Sequence, residues 1–150
     1  MNQGQYRNRA SFGKRQEYVI ISELLEQGFD VYIPLVDDRQ IDCVIRRRQD
    51  DYIDVQIKAR SRDCSPFDAG RFAAMNIPAP RDNYYFILYS EQAGCYWVFP
   101  SVKLVQLASQ NKQGENIGKY HINLTGLKNK QAYPLSKFDE FKNNLQILRQ

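Results

Sequence analysis

The stretch YIDVQIKAR, residues 52–60, alternates Ile53, Val55 and Ile57 with Asp54, Gln56 and Lys58. A period of two is the signature of a β-strand, and it places the three aliphatic residues on one face and the carboxylate, amide and ammonium on the other. Upstream, IDCVIRR (41–47) has the same β-type composition and is joined to it by the polar turn RQDD, so the two read as a hairpin turning at Gln49 and Asp50. In such a hairpin Asp42 lies opposite residues 57–58, and Asp42, Gln56 and Lys58 converge.

Working outward, Phe12, Val19, Ile20 and Leu24 fall at helical spacing over residues 12–27, with Ser11 as N-cap and Gly28 as the C-terminal stop. FDVYIP (29–34) is a short strand ended by Pro34, and VDDRQ (36–40) is a polar turn. The first third is therefore α-β-β-β. Residues 61–82 contain three prolines and no clean period, with room for a short helix over 69–74. Long irregular stretches inside compact domains tend to be functional. NYYFILYS (83–90) and GCYWVFP (94–100) are aromatic strands, SVKLVQLASQ (101–110) is a helix opened by Pro100, and KYHINL (119–124) is a further strand. SKFDEFKNNLQIL (136–148) carries Phe138, Phe141, Leu145 and Leu148 on one stripe and reads as a closing amphipathic helix. The fold class is α/β, bordering on α+β: a mixed sheet flanked by helices.

The chain has 150 residues, 43% hydrophobic and 25% charged, which suits one domain, 1–150, behind a basic N-terminal tail at 1–11. It lacks the roughly 20 consecutive apolar residues of a membrane helix and the apolar core of a signal peptide, so the expected location is cytoplasmic. Cys43, Cys64 and Cys95 have no metal-type spacing and read as reduced packing residues. The net charge of +4 is unevenly spread, with Arg46, Arg47 and Arg48 consecutive and Arg60 and Arg62 just after the central strand. Such clusters can form one polyanion-binding surface.

Several chemistries fall away. His121 is the only histidine and sits in a strand-like segment, without a nucleophile-elbow sequence to meet it. No phosphate-binding glycine loop is present, so no nucleotide cofactor is expected. What remains is a set of hard oxygen ligands with a lysine, suited to Mg²⁺ and phosphate esters. Glu17, on the first helix near its inward stripe, is the further carboxylate, with Glu23 the competing choice.

Glu17 after Gly13 on a first helix, Gly28-Phe29 closing it, Asp42 in IDCV, and Gln56 and Lys58 in VQIKA resemble the motif order of the PD-(D/E)XK nuclease superfamily. The resemblance covers residues 13–60 and is nearest to the small Gln-x-Lys branch of intron-encoded homing endonucleases and Holliday-junction-resolvase-like enzymes. It departs from the pattern at Ile41, where a proline is usual, and at Gln56, where an acid is usual. Asp54 shares the face of Gln56 roughly 7 Å back along the strand and is a candidate to compensate.

The resemblance implies a Mg²⁺-dependent DNA endonuclease, with Mn²⁺ able to stand in, that hydrolyses phosphodiester bonds and is site-specific in the homing manner. The alternatives are a structure-specific resolvase or a restriction or repair nuclease. Asp42, Glu17 and the Ile57 carbonyl are the implied metal ligands. Lys58 is the implied activator of water and Gln56 its positioner. Arg46, Arg47, Arg60 and Arg62 are expected on flanking phosphates. One site cuts one strand, so double-strand cleavage implies a homodimer or homotetramer. From other classes, a DNA-binding module with a degraded site, or an interaction protein unrelated to nucleic acid, stays open.

Overall fold

The computed structural model describes residues 9–36 and 39–150, with side chains from residue 11 onward. The expected basic tail lies outside the described residues up to position 8, as do residues 37–38 of the polar turn. From Arg9 the chain is helical, so Ser11 sits inside the first helix rather than capping it.

Helix α1 (Arg9–Glu26) buries Phe12, Gln16, Ile20, Ile21 and Leu24. The i, i+4 row through Phe12, Gln16, Ile20 and Leu24 defines its inner face. Val19, expected on that stripe, lies roughly 100° off the row and is exposed. Gly28 ends the helix at φ 87°. Its N–H donates to Leu25 and that of Phe29 to Leu24, each at 3.0 Å, the paired bonds of a left-handed C-terminal cap.

The main sheet has the order β1-β2-β3-β5-β6. Its strands are β1 (Asp30–Tyr32), β2 (Cys43–Arg48), β3 (Asp51–Arg60), then, after β4 (Arg71–Met75), β5 (Tyr84–Ser90) and β6 (Cys95–Pro100). Neighbours are antiparallel except β3 and β5, which are parallel, so the sheet is mixed, as expected. Every β5 residue except Tyr89 is buried, so β5 is covered on both faces. A second sheet of order β4-β8-β7 contains β7 (Ser109–Gln110) and β8 (Tyr120–Asn123). β9 (Thr125–Lys128) and β10 (Gln131–Pro134) form a hairpin. Helix α2 (Ser101–Leu107) follows β6 and is shorter than expected, because residues 109–110 pair with β8. No helix among the described residues is long and apolar enough to cross a membrane.

Two further local expectations are corrected. Residues 69–74 are not helical, since Arg71–Met75 is a strand on β8, and at Gly70 a β-carbon would lie 2.5 Å from Thr125, an approach only glycine permits. The closing helix is replaced by two 3-10 turns, Ser136–Phe138 and Leu145–Arg149. Between them the chain bonds to the outer edge of β6: Val98 donates to Phe141 at 2.9 Å and Asn143 to Tyr96 at 2.7 Å. Covering an open sheet edge satisfies backbone groups that a helix would leave exposed there. Phe138, Phe141, Leu145 and Leu148 are buried all the same. The β9-β10 hairpin was not anticipated. Asn129 and Lys130 both have positive φ, 52° and 63°, the backbone of a tight hairpin turn, and asparagine followed by lysine is a weaker signal for it than asparagine followed by glycine.

Candidate active site

The end of β2 places Asp42. The β2-β3 register pairs Cys43 with Val55, and the Asp42 N–H donates to the Val55 carbonyl at 2.8 Å. Asp42 lies one residue beyond the last regular pair, with its backbone N–H on Val55 and its carboxylate on Ile57. The register shifts between Arg46 and Arg48: a β-bulge there adds one residue to β2 and moves everything beyond it by one.

Beyond Asp42, β2 ends and β3 continues with one edge unpaired by strand. The Asp42 carboxylate fills the first vacant position, with Oδ2 accepting the Ile57 N–H at 2.7 Å. Along a strand the backbone groups of alternate residues point to the same edge, so the Ile57 carbonyl faces the Asp42 side. Asp42 is 6% exposed, and this bond fixes its carboxylate on the strand that carries Gln56 and Lys58. Tyr84, on β5, donates its hydroxyl to the Gln40 carbonyl at 3.2 Å and holds the chain entering this corner.

Glu17 on α1 and Asp42 line one small cleft of about 30 Å³, together with Lys14, Tyr18 and Ile41, room for about one water molecule or bare ion. Lys14 pairs with Glu17 at 3.0 Å. Both carboxylates act on Cys43: burial, then the charges of Asp42 and Glu17, push its thiol up to about 12. Glu17, rather than Glu23, is thus the helix acid brought to Asp42.

The polar face of β3 is not a solvent face. Gln56 is 7% exposed, in register with Phe86 of β5, and its Oε1 has no hydrogen-bond partner. Leaving a buried amide oxygen unmade costs about 1–3 kcal/mol. Lys58 is half-buried, two residues on, and no ion pair to it is found among the described residues. Asp54 is otherwise engaged, ion-paired to Arg81 at 2.5 Å. Arg81 also lies over the Tyr84 ring and its backbone is clamped by Ser101. Sequence reasoning missed Arg81, whose segment has no period to flag it.

The arginines do not gather in one place. Arg60 and Arg62 lie beyond Lys58, Arg60 donating to the Asp68 carbonyl at 3.2 Å and Arg62 3.7 Å from Glu91. Glu91 also accepts from Gln16 of α1 at 3.3 Å, tying this corner to the helix. Arg46 and Arg47 are at the other end of the hairpin. Arg46 pairs with Asp30 at 2.9 Å, and Arg47 with Asp51 at 2.8 Å. Arg47 donates to the Gln150 carbonyl as well. Tyr52, the partner of Arg46, is six residues from Lys58, roughly 20 Å of strand.

The donor set fits a hard divalent cation. Among the described residues no three His, Cys, Asp or Glu side chains gather as a metal site. Two carboxylates with neutral oxygens are nevertheless a sufficient protein share for Mg²⁺, which keeps waters and takes substrate phosphate as further ligands. Gln56 Oε1 is buried without a hydrogen-bond partner, as are Gln40 Oε1, Arg47 Nε, Trp97 Nε1 and Thr125 Oγ1 among the described residues, and it is the one on the strand that holds the Asp42 carboxylate.

Neither a protein-family model nor a curated protein matches the chain. Among solved structures, the chain is similar to a bacterial homing endonuclease, I-Ssp6803I, with a TM-score of 0.61 and 18% identity, covering 95% of this chain and 91% of that one. That likeness is one of fold.

Proposed function

From a likeness of fold over nearly the whole chain and a carboxylate-amide-lysine corner at the end of β3, we propose that this protein is a Mg²⁺-dependent, site-specific DNA endonuclease of PD-(D/E)XK type. The observation that carries the reading is the Asp42 carboxylate, which lines one cleft with Glu17 and is fixed by the N–H of Ile57, the residue between Gln56 and Lys58. The fold shared with a homing endonuclease supports it.

Asp42, Glu17 and the Ile57 carbonyl would hold the ion, with Gln56 Oε1 as a neutral ligand or as the acceptor that orients water. A divalent ion there supplies polarisation of the phosphoryl oxygen and a lowered pKa for water. Lys58 holds the attacking water in line and offsets negative charge growing on the phosphoryl oxygens. Its ammonium is available for this because no carboxylate of the described residues neutralises it. Arg60 and Arg62 hold phosphates next to the cut, and Arg46 and Arg47 meet the backbone further along. Cutting both strands takes two copies of the site, hence a symmetric homodimer or homotetramer.

The test is cleavage of supercoiled plasmid libraries with Mg²⁺ or Mn²⁺, comparing the wild type with Asp42→Asn and Lys58→Ala and with an EDTA control. The expected result is metal-dependent cutting lost in both variants. Cutting that survives both substitutions would move catalysis elsewhere. Salt-sensitive DNA binding without cutting under any divalent ion would leave a DNA-binding module.

A further inference from the structure

The two polar stretches of the chain with least periodicity, 61–82 and 109–118, meet on the second sheet. The first contributes β4 and the second follows from β7, and both flank β8. One face of this sheet packs inward through Phe72, Met75 and Ile122. Arg71 pairs with Asn123, and His121 with Ser109, so these four share the outer face.

A β-bulge shapes that face. Phe72 pairs with Ile122 and Met75 with Tyr120, leaving Ala73 and Ala74 together opposite His121. Without the extra residue, Phe72 and Met75 would point to opposite sides. Ala74 takes it up at φ 54°, and both alanines are exposed. The result is a low, flat strip between taller polar side chains, and bulges of this kind re-aim side chains next to functional sites.

The outer face opens into a cleft of about 320 Å³ that Arg60, Arg71, Asn111, Asn116, His121 and Asn123 help to line. Its one carboxylate, Asp68, accepts a hydrogen bond from the Ser65 hydroxyl at 3.0 Å. Arg71 stacks on Phe67 at 4.4 Å and has no acidic partner among the described residues. The side-chain amides of Asn111 and Asn116 have no hydrogen-bond partner there either. A protein-binding face would be expected to offer buried aromatic anchors, whereas this strip offers alanines, amides and cations. Arg60 joins the cleft two residues past Lys58, roughly 7 Å along β3.

We infer that this cleft reads base edges in the major groove of duplex DNA next to the cut, with Asn111 and Asn116 on adenine, Arg71 on guanine, and the Ala73-Ala74 strip admitting the groove floor. The inference rests on the endonuclease reading. Its chemistry is that of direct readout: amides pair bidentately with adenine, arginine with guanine, and alanine accommodates the thymine methyl.

The experiment is selection of bound sites from randomised duplex DNA by the full chain in Ca²⁺, for the wild type and for Asn111→Ala, Asn116→Ala and Arg71→Lys. The wild type is expected to enrich a motif. Each variant is expected to lose roughly 10- to 100-fold discrimination at one to three adjacent base pairs while still selecting the rest, which a merely unfolded variant could not do. An identical motif in all three variants overturns the inference. So does wild-type binding without sequence preference, and in both cases salt-dependent DNA binding leaves the endonuclease reading standing. Absence of DNA binding at any salt overturns both.

Discussion

The Asp42 carboxylate accepts the Ile57 backbone N–H at 2.7 Å, so the acid that closes β2 is held by the strand that carries Gln56 and Lys58. The same side chain therefore satisfies a buried backbone donor and, in the proposed function, would also be a metal ligand, and substitutions separate the two roles. Asp42→Asn keeps an acceptor for the N–H and is expected to fold with stability within about 1 kcal/mol of wild type while losing cleavage. Asp42→Ala leaves the donor unmade and is expected to cost a further 1–3 kcal/mol or so, read as the urea midpoint at constant slope.

Gln56 makes the opposite trade. Its buried Oε1 has no partner, so Gln56→Leu, of similar size and without the orphaned oxygen, is expected to be neutral or to stabilise by about 1 kcal/mol and to abolish cleavage. Gln56→Glu places a second buried carboxylate on the strand that holds Asp42, and like charges in low dielectric are costly. The variant is expected to melt lower than wild type in EDTA and to recover in Mg²⁺. Asp54→Asn, whose parent carboxylate is committed to Arg81, is expected to keep cleavage within a few-fold of wild type. A melting scan with and without Mg²⁺, beside the plasmid assay, checks all three.

Cys43 predicts alkaline lability. Its thiol is pushed up from 9.0 to about 12, first by burial and then by Asp42 and Glu17. The unfolded chain thus releases this proton near pH 9, whereas the folded chain retains it to about 12. The associated stability is full below pH 9 and declines as pH rises towards 12, by up to a few kcal/mol. The Tyr84 hydroxyl, raised to about 12 mainly by burial, acts in the same direction above pH 10. The urea midpoint is expected to fall between pH 8 and pH 10.5, and less steeply in Cys43→Ala. At pH 8 iodoacetamide should label the half-exposed Cys64 well before the buried Cys43 and Cys95.

The arginines at the two ends of the hairpin have different surroundings. Arg62 is 60% exposed and only loosely paired to Glu91, so Arg62→Ala is expected to reduce the slope of log affinity against log salt by about 1 with little change in melting temperature. Arg47 is 16% exposed and paired to Asp51, and its removal is expected to lower stability by roughly 1–2 kcal/mol. Salt titrations of DNA binding and thermal melts of both variants measure the difference.

How far the sequence reached depends on the range of the interaction concerned. Period and punctuation determined α1 with its Gly28 cap, the β2-β3 hairpin, the aromatic strands β5 and β6, and the mixed sheet, because each of these is written in contiguous residues. The order of Glu17, Asp42, Gln56 and Lys58 was legible for the same reason. Only the tertiary structure decided the rest. A one-residue bulge, invisible to alternation, shifted the β2-β3 register that leads to Asp42. Tertiary packing buried Gln56 on the face that alternation alone marks as polar, and Arg81, 27 residues away, ion-paired Asp54. Residues 136–148 kept their apolar stripe but not their helix, because the open edge of β6 offered their backbone better hydrogen bonds than a helix ending in solvent. Local propensity amounts to a few tenths of a kcal/mol per residue, whereas an unmade buried hydrogen bond costs several times that, so wherever the two competed the long-range pairing prevailed.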